Sequence, residues 1–255
     1  MKKNLIKEEY NKKFIEYRKE GVKKYKGYHP SAYLPPTVIT MPKIYFRNDL
    51  LKKRIVSFIN GKIKVHEYSP EYKTILNHIK KLGKEKISIL DIGCADCSLA
   101  DFLEASNIKI DYDGLDISKI ESKYKIYSAF DEIPAKNKYD LIVMSHVAEH
   151  MNYEQYLSEF QKNIKKFLTP DGYFVFATPN PYNIRTQFGD LTHTQIYPWH
   201  QTYSLLRFDF KNVDVFRGVY LTEVSQIIFY PIKVILSKLL DIEYSNTLIY
   251  ICDNN

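Results

Sequence analysis

The sequence predicts an α/β fold: a Rossmann-like, mainly parallel seven-stranded sheet with helices on both faces, preceded by an N-terminal helical lid. Three observations predict it. From residue 86 onward, short apolar runs alternate with helical stretches, the pattern of parallel strands joined by crossover helices. The first of these runs, Ile87–Ile92, is rich in β-branched residues, as a strand buried on both faces requires. Over 255 residues, 45% are hydrophobic and 26% charged, which excludes a disordered or collagen-like chain.

The elements follow in order. Asn4–Tyr25 places Leu5, Tyr10, Phe14, Tyr17 and Val22 at roughly helical spacing and reads as an amphipathic helix. Tyr28–Pro42 contains Pro30, Pro35, Pro36 and Pro42, so an irregular, extended segment is expected there. Asp49–Asn60 and Pro70–Leu82 read as helices, the second opening with Ser69-Pro70-Glu71 as cap, first helical residue and first-turn acid. Residues 1–85 are therefore expected to form a basic helical lid that recognises substrate, and residues 86–255 the core. Within the core, Ile87–Ile92, Ile110–Leu115, Tyr139–Met144, Tyr173–Ala177 and Thr247–Cys252 read as strands. Cys97–Ser106 and Tyr153–Phe167 read as helices, and Pro170-Asp171-Gly172 as the turn into the fourth of those strands. A helical insert is expected at 219–243; with Pro231 in its apolar stretch Leu221–Leu240, it reads as a packed core or lid element, with transient membrane contact as the alternative.

Charge is uneven. Residues 1–86 carry 22 Lys/Arg against 8 Asp/Glu, and residues 87–255 carry 15 against 22. The basic first third suits an anionic ligand, although 31 Lys to 6 Arg also describes an ordinary solvated surface. Three cysteines give no disulfide framework, no apolar core follows Met1–Lys3 as in a signal peptide, and no apolar run reaches the roughly 18 residues of a membrane span. A cytoplasmic protein is expected.

In parallel sheets, ligands sit beyond the carboxyl ends of the strands, so the chemistry is sought there. After the first strand comes Asp91-Ile92-Gly93-Cys94-Ala95-Asp96-Cys97-Ser98, and after the second, Asp116, a carboxylate placed to accept both hydroxyls of a ribose. The chain lacks the Gly-x-Gly-x-x-Gly of nicotinamide sites and the Gly-x-x-x-x-Gly-Lys-Ser/Thr of a P-loop.

The series Leu90-Asp91-Ile92-Gly93-Cys94-Ala95, Gly114-Leu115-Asp116-Ile117-Ser118, Tyr139-Asp140-Leu141-Ile142-Val143, Val147-Ala148-Glu149-His150-Met151 and Leu168-Thr169-Pro170-Asp171-Gly172-Tyr173 resembles the motifs of class I S-adenosylmethionine (SAM)-dependent methyltransferases. The nearest type is the small-molecule O-methyltransferases of ubiquinone biosynthesis, and the resemblance covers about residues 86–215. It implies SAM as cofactor. The turn at Asp91, Gly93, Cys94 and Ala95 would hold its methionine part, Asp116 the ribose and Ile117 the adenine, with Phe130, Asp131 and Ser145 completing the set. Ala95 and Cys97 stand where the family has further glycines, and Ala129 stands where it often has an acid, for which Asp131 is the substitute.

Three motifs have simpler explanations. His146-Val147-Ala148-Glu149-His150 fits the His-x-x-Glu-His zinc-protease pattern, but it directly follows a strand. Cys94-x-x-Cys97 reads as small residues filling a tight turn rather than a redox pair. Thr178-Pro179-Asn180-Pro181-Tyr182 reads as a loop shaping the acceptor pocket. Asp190–Tyr197 resembles the family's Thr-His-x-x-x-Phe element over the active site, with Trp199, His200 and Tyr203 expected on the same wall.

The implied chemistry is displacement at the sulfonium methyl, with removal of a proton from a hydroxyl acceptor by His193 or His150, oriented by Glu149 or His146. No metal is expected, a divalent cation being the alternative. The expected acceptor is small and phosphorylated, such as a nucleotide-linked sugar or another surface-polysaccharide building block; no DNA partner is expected. Two other readings are an RNA methyltransferase with a basic N-terminal arm and a non-catalytic SAM-fold partner protein.

Overall fold

The structure is a computed structural model that describes residues 2–25, 37–40, 69–118, 121–152, 160–221, 226, 229–240 and 243–254. The described strands are β1 (Thr37–Thr40), β2 (Lys86–Ile92), β3 (Lys109–Leu115), β4 (Lys125–Tyr127), β5 (Tyr139–Ser145), β6 (Leu168–Pro179), β7 (Asn212–Tyr220) and β8 (Thr247–Asp253). They form one sheet in the order β1-β7-β8-β6-β5-β2-β3-β4. All pairs are parallel except those of β8, which runs antiparallel to both β6 and β7. From β2 the chain steps outward through β3 to β4, then returns to β5 on the other side of β2. That reversal leaves a crevice above the carboxyl ends of β2 and β5.

The described helices are α1 (Lys2–Lys24), α2 (Pro70–Leu82), α3 (Ser98–Ala105), α4 (Lys162–Phe167), α5 (Ile184–Gln187), α6 (Trp199–Arg207) and α7 (Tyr230–Leu240). Alternation along the strands sorts the core into two layers. Ile87, Ile89, Leu141, Val143, Val175 and Ile249 pack with Ile75 and Ile79 of α2 and Leu99 and Leu103 of α3. Leu90, Ile92, Ile142, Met144, Phe174 and Phe176 pack with Ile164 and Phe167 of α4 and Trp199, Tyr203 and Leu206 of α6. Helices thus cover both faces, as expected.

Local chemistry sets the helix ends. The Ser69 hydroxyl accepts the Tyr72 N–H at 3.2 Å and Pro70 opens α2, while left-handed Gly83 closes it. Helix α1 lies against α6: Glu20 accepts from Tyr203 Oη at 2.9 Å and from Arg207 Nε at 3.1 Å, and Lys24 pairs with Asp214 at 2.7 Å. Gly21 makes this approach feasible, since a Cβ there would lie 2.7 Å from the Tyr203 ring.

The structure departs from the sequence expectations at several points. The sheet has eight described strands, not seven: Thr37-Val38-Ile39-Thr40, inside the segment expected to be irregular, pairs in parallel with Arg217–Tyr220. Its β-branched residues suit an edge strand, with the prolines lying just outside it. The helix expected from Cys97 begins at Ser98, because Cys97 is left-handed (φ 59°). Pro231 is the second residue of α7, where proline is tolerated, and the helix exposes Ile232, Ile235, Leu239 and Leu240 to solvent. The helix expected at Asp49–Asn60 and residues 153–159 of the one expected at Tyr153–Phe167 lie outside the described residues. No helix among the described residues is long and apolar enough to cross a membrane.

Candidate active site

A cleft of about 520 Å3 opens at the crevice, walled by the turn after β2, the end of β3 and the turn after β5. Its floor is the Gly93 turn. Gly93 has φ 72°, its N–H donates to the Leu115 carbonyl at 2.7 Å, and a Cβ there would lie 2.2 Å from Val147 Cγ2. Ala95 and Cys97 also adopt positive φ, 44° and 59°. The backbone path a glycine-rich turn would take is therefore kept, at a steric cost of about 1–2 kcal/mol for each side-chain-bearing residue. The Cys94 thiol fits against Gly114, where a Cβ would come within 2.6 Å of Sγ. Burial pushes this thiol well above its ordinary range, so Cys94 and Cys97 fill space as expected rather than forming a reactive pair.

Asp116 stands at the mouth of the turn. Its Oδ2 accepts the Ala95 N–H at 2.9 Å and its Oδ1 the Ser118 N–H at 2.8 Å, which fixes the carboxylate while leaving a lone pair on each oxygen. Ile117 beside it is 93% exposed, an apolar side chain standing in the cleft, and Phe130 faces it. Asp91 lies buried beneath the turn and accepts from Tyr112 Oη at 2.7 Å; burial pushes its carboxyl up to about 7. Asp131 is exposed on the short turn Phe130–Glu132, and Ser145 ends β5 opposite Ala177; neither is among the residues lining the cleft.

The far wall is the turn after β5. His146, with φ 57°, swings its ring between two buried carboxylates: Nε2 lies 3.2 Å from Glu71 Oε1 and Nδ1 lies 3.3 Å from Glu149 Oε1. Burial opposes its charge, but the carboxylates Glu149 and Glu71 outweigh it and push the imidazole up to about 10. Glu71 feels the same burial, yet the hydrogen bond from His146 and that from Tyr220 Oη at 2.5 Å hold its carboxyl low. His146 is therefore a fixed cation at neutral pH.

Glu149 and His150 follow on the 3-10 turn Ala148–His150. The Glu149 carbonyl accepts from the N–H of Thr194 at 2.8 Å and of Gln195 at 3.0 Å, which draws the Asp190–Tyr197 loop onto this turn. His150 Nδ1 lies 3.0 Å from Thr192 Oγ1 and 3.3 Å from the Thr192 carbonyl. Because Thr192 Oγ1 gives its proton to Asp190 Oδ1 at 2.6 Å, His150 Nδ1 is the donor. His193 Nδ1 donates to the Gln187 carbonyl at 2.9 Å, and the two imidazole rings lie 5.1 Å apart. In the neutral form of either ring, a donating Nδ1 leaves Nε2 as the lone-pair atom.

Residues 65–220, well over half of the chain, match the family described as a methyltransferase domain. The chain belongs to that family. This methyltransferase-domain chain also shares its fold with a SAM-dependent methyltransferase from Archaeoglobus fulgidus at 17% identity, with 77% of this chain and 98% of that one aligned and a TM-score of 0.51. The plantazolicin methyltransferase BpumL in complex with SAH aligns at 13% identity over 84% of this chain and 93% of that one, with a TM-score of 0.46. No curated protein matches by sequence. The comparisons carry the methyltransferase family and fold, without reaching the ubiquinone-biosynthesis type.

Of the methyltransferase residues expected from sequence, the structure brings Gly93, Asp116, Ile117, Phe130, His146 and His150 around one cleft and sets Glu149 and His193 beside His150. Trp199 and Tyr203 are corrected: both are fully buried in α6 against Tyr25 and belong to the core. His200 is half-buried next to Trp199, and burial lowers its ring to about 4. Asn180 ties β6 to the chain before β8, its Nδ2 donating to Ser245 Oγ at 2.7 Å. Glu71 and Tyr220 were missed, because Glu71 is locally explained as a first-turn acid of α2 and Tyr220 as a strand residue.

Proposed function

We propose that this protein transfers the methyl group of SAM to a hydroxyl oxygen of a small, anionic acceptor. The observation that carries the proposal is the double role of His150, which lines the Gly93–Asp116 cleft and belongs to the Glu149–His150–His193 cluster. The cleft suits SAM chemically. A Cβ at Gly93 would fill the cradle, Asp116 presents two lone pairs for a diol, and Ile117 and Phe130 offer apolar faces for a purine. Gly93, Cys94 and Ala95 would hold the amino-acid end above Asp91. Asp131 and Ser145 would act only at its edge. Bound there, SAM supplies an activated methyl group.

The chain's own residues supply alignment and a proton acceptor. An amine brings its own lone pair to an electrophile, whereas a hydroxyl must lose a proton, and the cluster of lone-pair imidazoles at the cleft wall favours the hydroxyl. His146, held as a cation, fixes Glu149 in place and does not take the proton. The excess of lysine and arginine in residues 1–86 is the ground for an anionic acceptor, such as a phosphorylated or nucleotide-linked sugar.

Thermal unfolding with SAM, S-adenosylhomocysteine and NAD tests the first half. At a hundredfold excess over Kd, a ligand specific for the folded state adds about 2.7 kcal/mol, a shift of roughly 5–10 °C at about 2–4 °C per kcal/mol. The shift is expected with the SAM pair, absent with NAD and lost in Asp116→Ala. No shift, or a shift indifferent to Asp116, overturns the assignment. Transfer of a labelled methyl group to phosphorylated sugars and nucleotides, with acid- and base-stability of the product separating ether from ester and amine, tests the second half.

A further inference from the structure

The Asp190–Tyr197 loop meets the cleft through His150, and the hydrogen bonds along that meeting run in one direction. Asp190 Oδ1 accepts twice from Thr192, from its N–H at 2.8 Å and from its hydroxyl at 2.6 Å. The first bond closes a turn that aspartate side chains commonly make with the backbone two residues on, and it fixes which carboxylate oxygen the hydroxyl meets. These two bonds also hold the Asp190 carboxyl below its usual range, so it is ionised and can only accept. A threonine hydroxyl has one proton and two lone pairs. With the proton committed to Asp190, Thr192 Oγ1 can only accept from His150 Nδ1, at 3.0 Å. The Thr192 carbonyl, 3.3 Å from the same nitrogen, is a second and longer acceptor.

The two histidines are not equivalent in this arrangement. His150 is among the residues lining the cleft and His193 is not. The His193 side chain is 10% exposed, its Nδ1 donates to the Gln187 carbonyl at 2.9 Å, and its Nε2 lies 4.0 Å from Asp190 Oδ2, too far for a hydrogen bond. Its second nitrogen therefore sits against the loop's own carboxylate, and the ring serves as a wall for His150, 5.1 Å away between centroids. The Thr194 and Gln195 N–H groups both donate to the Glu149 carbonyl, one residue before His150. Asp190, Thr192 and His150 thus share one backbone frame.

We infer that Asp190 and Thr192 are positioning residues for the methyl transfer, a relay that holds His150 in its Nδ1–H tautomer and makes it, rather than His193, the base. What His150 does rests on the proposed function; which tautomer it holds rests on the loop geometry alone. A histidine base needs a lone pair facing the acceptor, and the hydrogen bond at one ring nitrogen decides which of the two carries it. The acceptor's O–H bond breaks as its oxygen bonds the methyl carbon. The proton goes to His150 Nε2, and the carbon–sulfur electron pair stays on sulfur as the thioether forms. The imidazolium keeps its Nδ1–H on Thr192, one hydroxyl away from the Asp190 carboxylate, and then gives the Nε2 proton to water. A carboxylate behind a histidine does the same work in hydrolase triads, there without a hydroxyl between. Without that carboxylate the Thr192 hydroxyl is free to turn and donate to Nδ1, which moves the ring proton to Nε2 and points an N–H at the acceptor.

The tautomer is read from nitrogen–proton correlation spectra of the full chain labelled with nitrogen-15 histidine, at about pH 8.5, where an ordinary imidazole is neutral. His150 is assigned as the ring missing in His150→Gln. Nδ1–H is expected in the parent and in Asp190→Asn, whose amide oxygen still accepts, and the Nε2–H form is expected to appear in Asp190→Ala and Thr192→Val. Nε2–H in the parent overturns the inference, as does a ring unchanged in both Asp190→Ala and Thr192→Val, which would leave the Thr192 carbonyl as its holder. Transfer of a labelled methyl group to phosphorylated sugars and nucleotides is measured on the same proteins. Thr192→Val should lower kcat about 10–100-fold with KM little changed, less than the about 10²–10⁴-fold cost of losing a base. Thr192→Ser should restore it, and Thr192→Val should cost nothing further in a His150→Ala background. A full additional loss in that double variant also overturns the relay. The S-adenosylhomocysteine thermal shift separates the two readings. The expected tautomers without that shift support the relay and overturn the cofactor assignment; the shift with Nε2–H at His150 does the reverse.

Discussion

Replacing Gly93 with alanine tests the floor of the cleft, and the structure separates the effect into two parts. The first is conformational: at φ 72° an alanine in the left-handed region costs about 1–2 kcal/mol. The second is steric: the new Cβ would lie 2.2 Å from Val147 Cγ2, whereas the next nearest atom, Val147 Cβ, is 3.4 Å away. Relieving a clash that deep in a packed turn costs about 1–3 kcal/mol, so Gly93→Ala should lose about 2–5 kcal/mol in all. Val147→Ala removes the clashing methyl while leaving the tolerable 3.4 Å contact. By itself it should cost about 1–2 kcal/mol, since Val147 is partly buried. In the double variant only the conformational part of the glycine replacement remains, so the two changes should be less than additive by about 1–3 kcal/mol. Urea unfolding of the four proteins gives the coupling directly, and the same samples report the SAH-induced thermal shift, which Gly93→Ala should abolish and the double variant partly restore. Strict additivity would refute the argument, because it would mean that Val147 does not press on the turn and that Gly93 is required only for its dihedral angle.

Other consequences are as specific. Asp91 has its carboxyl raised from about 3.8 to about 7 by burial, so its favourable contribution is complete below about pH 4 and is lost as the pH rises through 7. Asp91→Asn stays neutral throughout and should gain stability relative to the parent over that interval, by at most about 4 kcal/mol; a difference in urea midpoints that stays flat between pH 4 and 7.5 contradicts the burial account. Glu71→Gln leaves His146 with one carboxylate and breaks a buried ion pair, which should cost about 3–5 kcal/mol, while Tyr220→Phe, removing one hydrogen bond to the same charge, should cost about 1.5–3 kcal/mol. Equal costs for the two, read by chemical unfolding, would place Glu71 outside the ion pair. His150→Ala should lower methyl transfer about 10²–10⁴-fold, the usual range for loss of proton transfer at the reacting group, with the SAH thermal shift retained; loss of both together would make His150 part of the cofactor wall alone.

The strands that read clearly from sequence, such as Ile87–Ile92 and Tyr139–Met144, are those buried on both faces, because such burial writes itself as an apolar run. Strand β1 was hidden for the opposite reason. It is a four-residue edge strand between prolines, and its partner Arg217–Tyr220 is far along the chain, so nothing local marks the pairing. Trp199 and Tyr203 show a signal that was present and outweighed. With Leu206 they repeat at i, i+4 and i+7, the spacing of a buried helix face, yet their nearness to His193 drew them to the acceptor wall.

The histidine motif teaches more, because its residues were recognised and their pairing was not. On a regular helix His146 and His150 would share a face, and Glu149 would stand beside them, which is the geometry a zinc-protease pattern requires. The chain instead leaves β5 with His146 at φ 57° and enters a 3-10 turn. That one positive dihedral sends His146 away from His150 toward Glu71, which is why a first-turn acid of α2, 75 residues earlier, becomes its partner. His150, released from His146, meets His193 on a loop drawn in by the Glu149 carbonyl. A sequence pattern fixes which donors are available at a site, but the backbone conformation of a single residue decides which of them meet, and here it exchanges His146 for His193 as the neighbour of His150, while Glu149 stays beside His146.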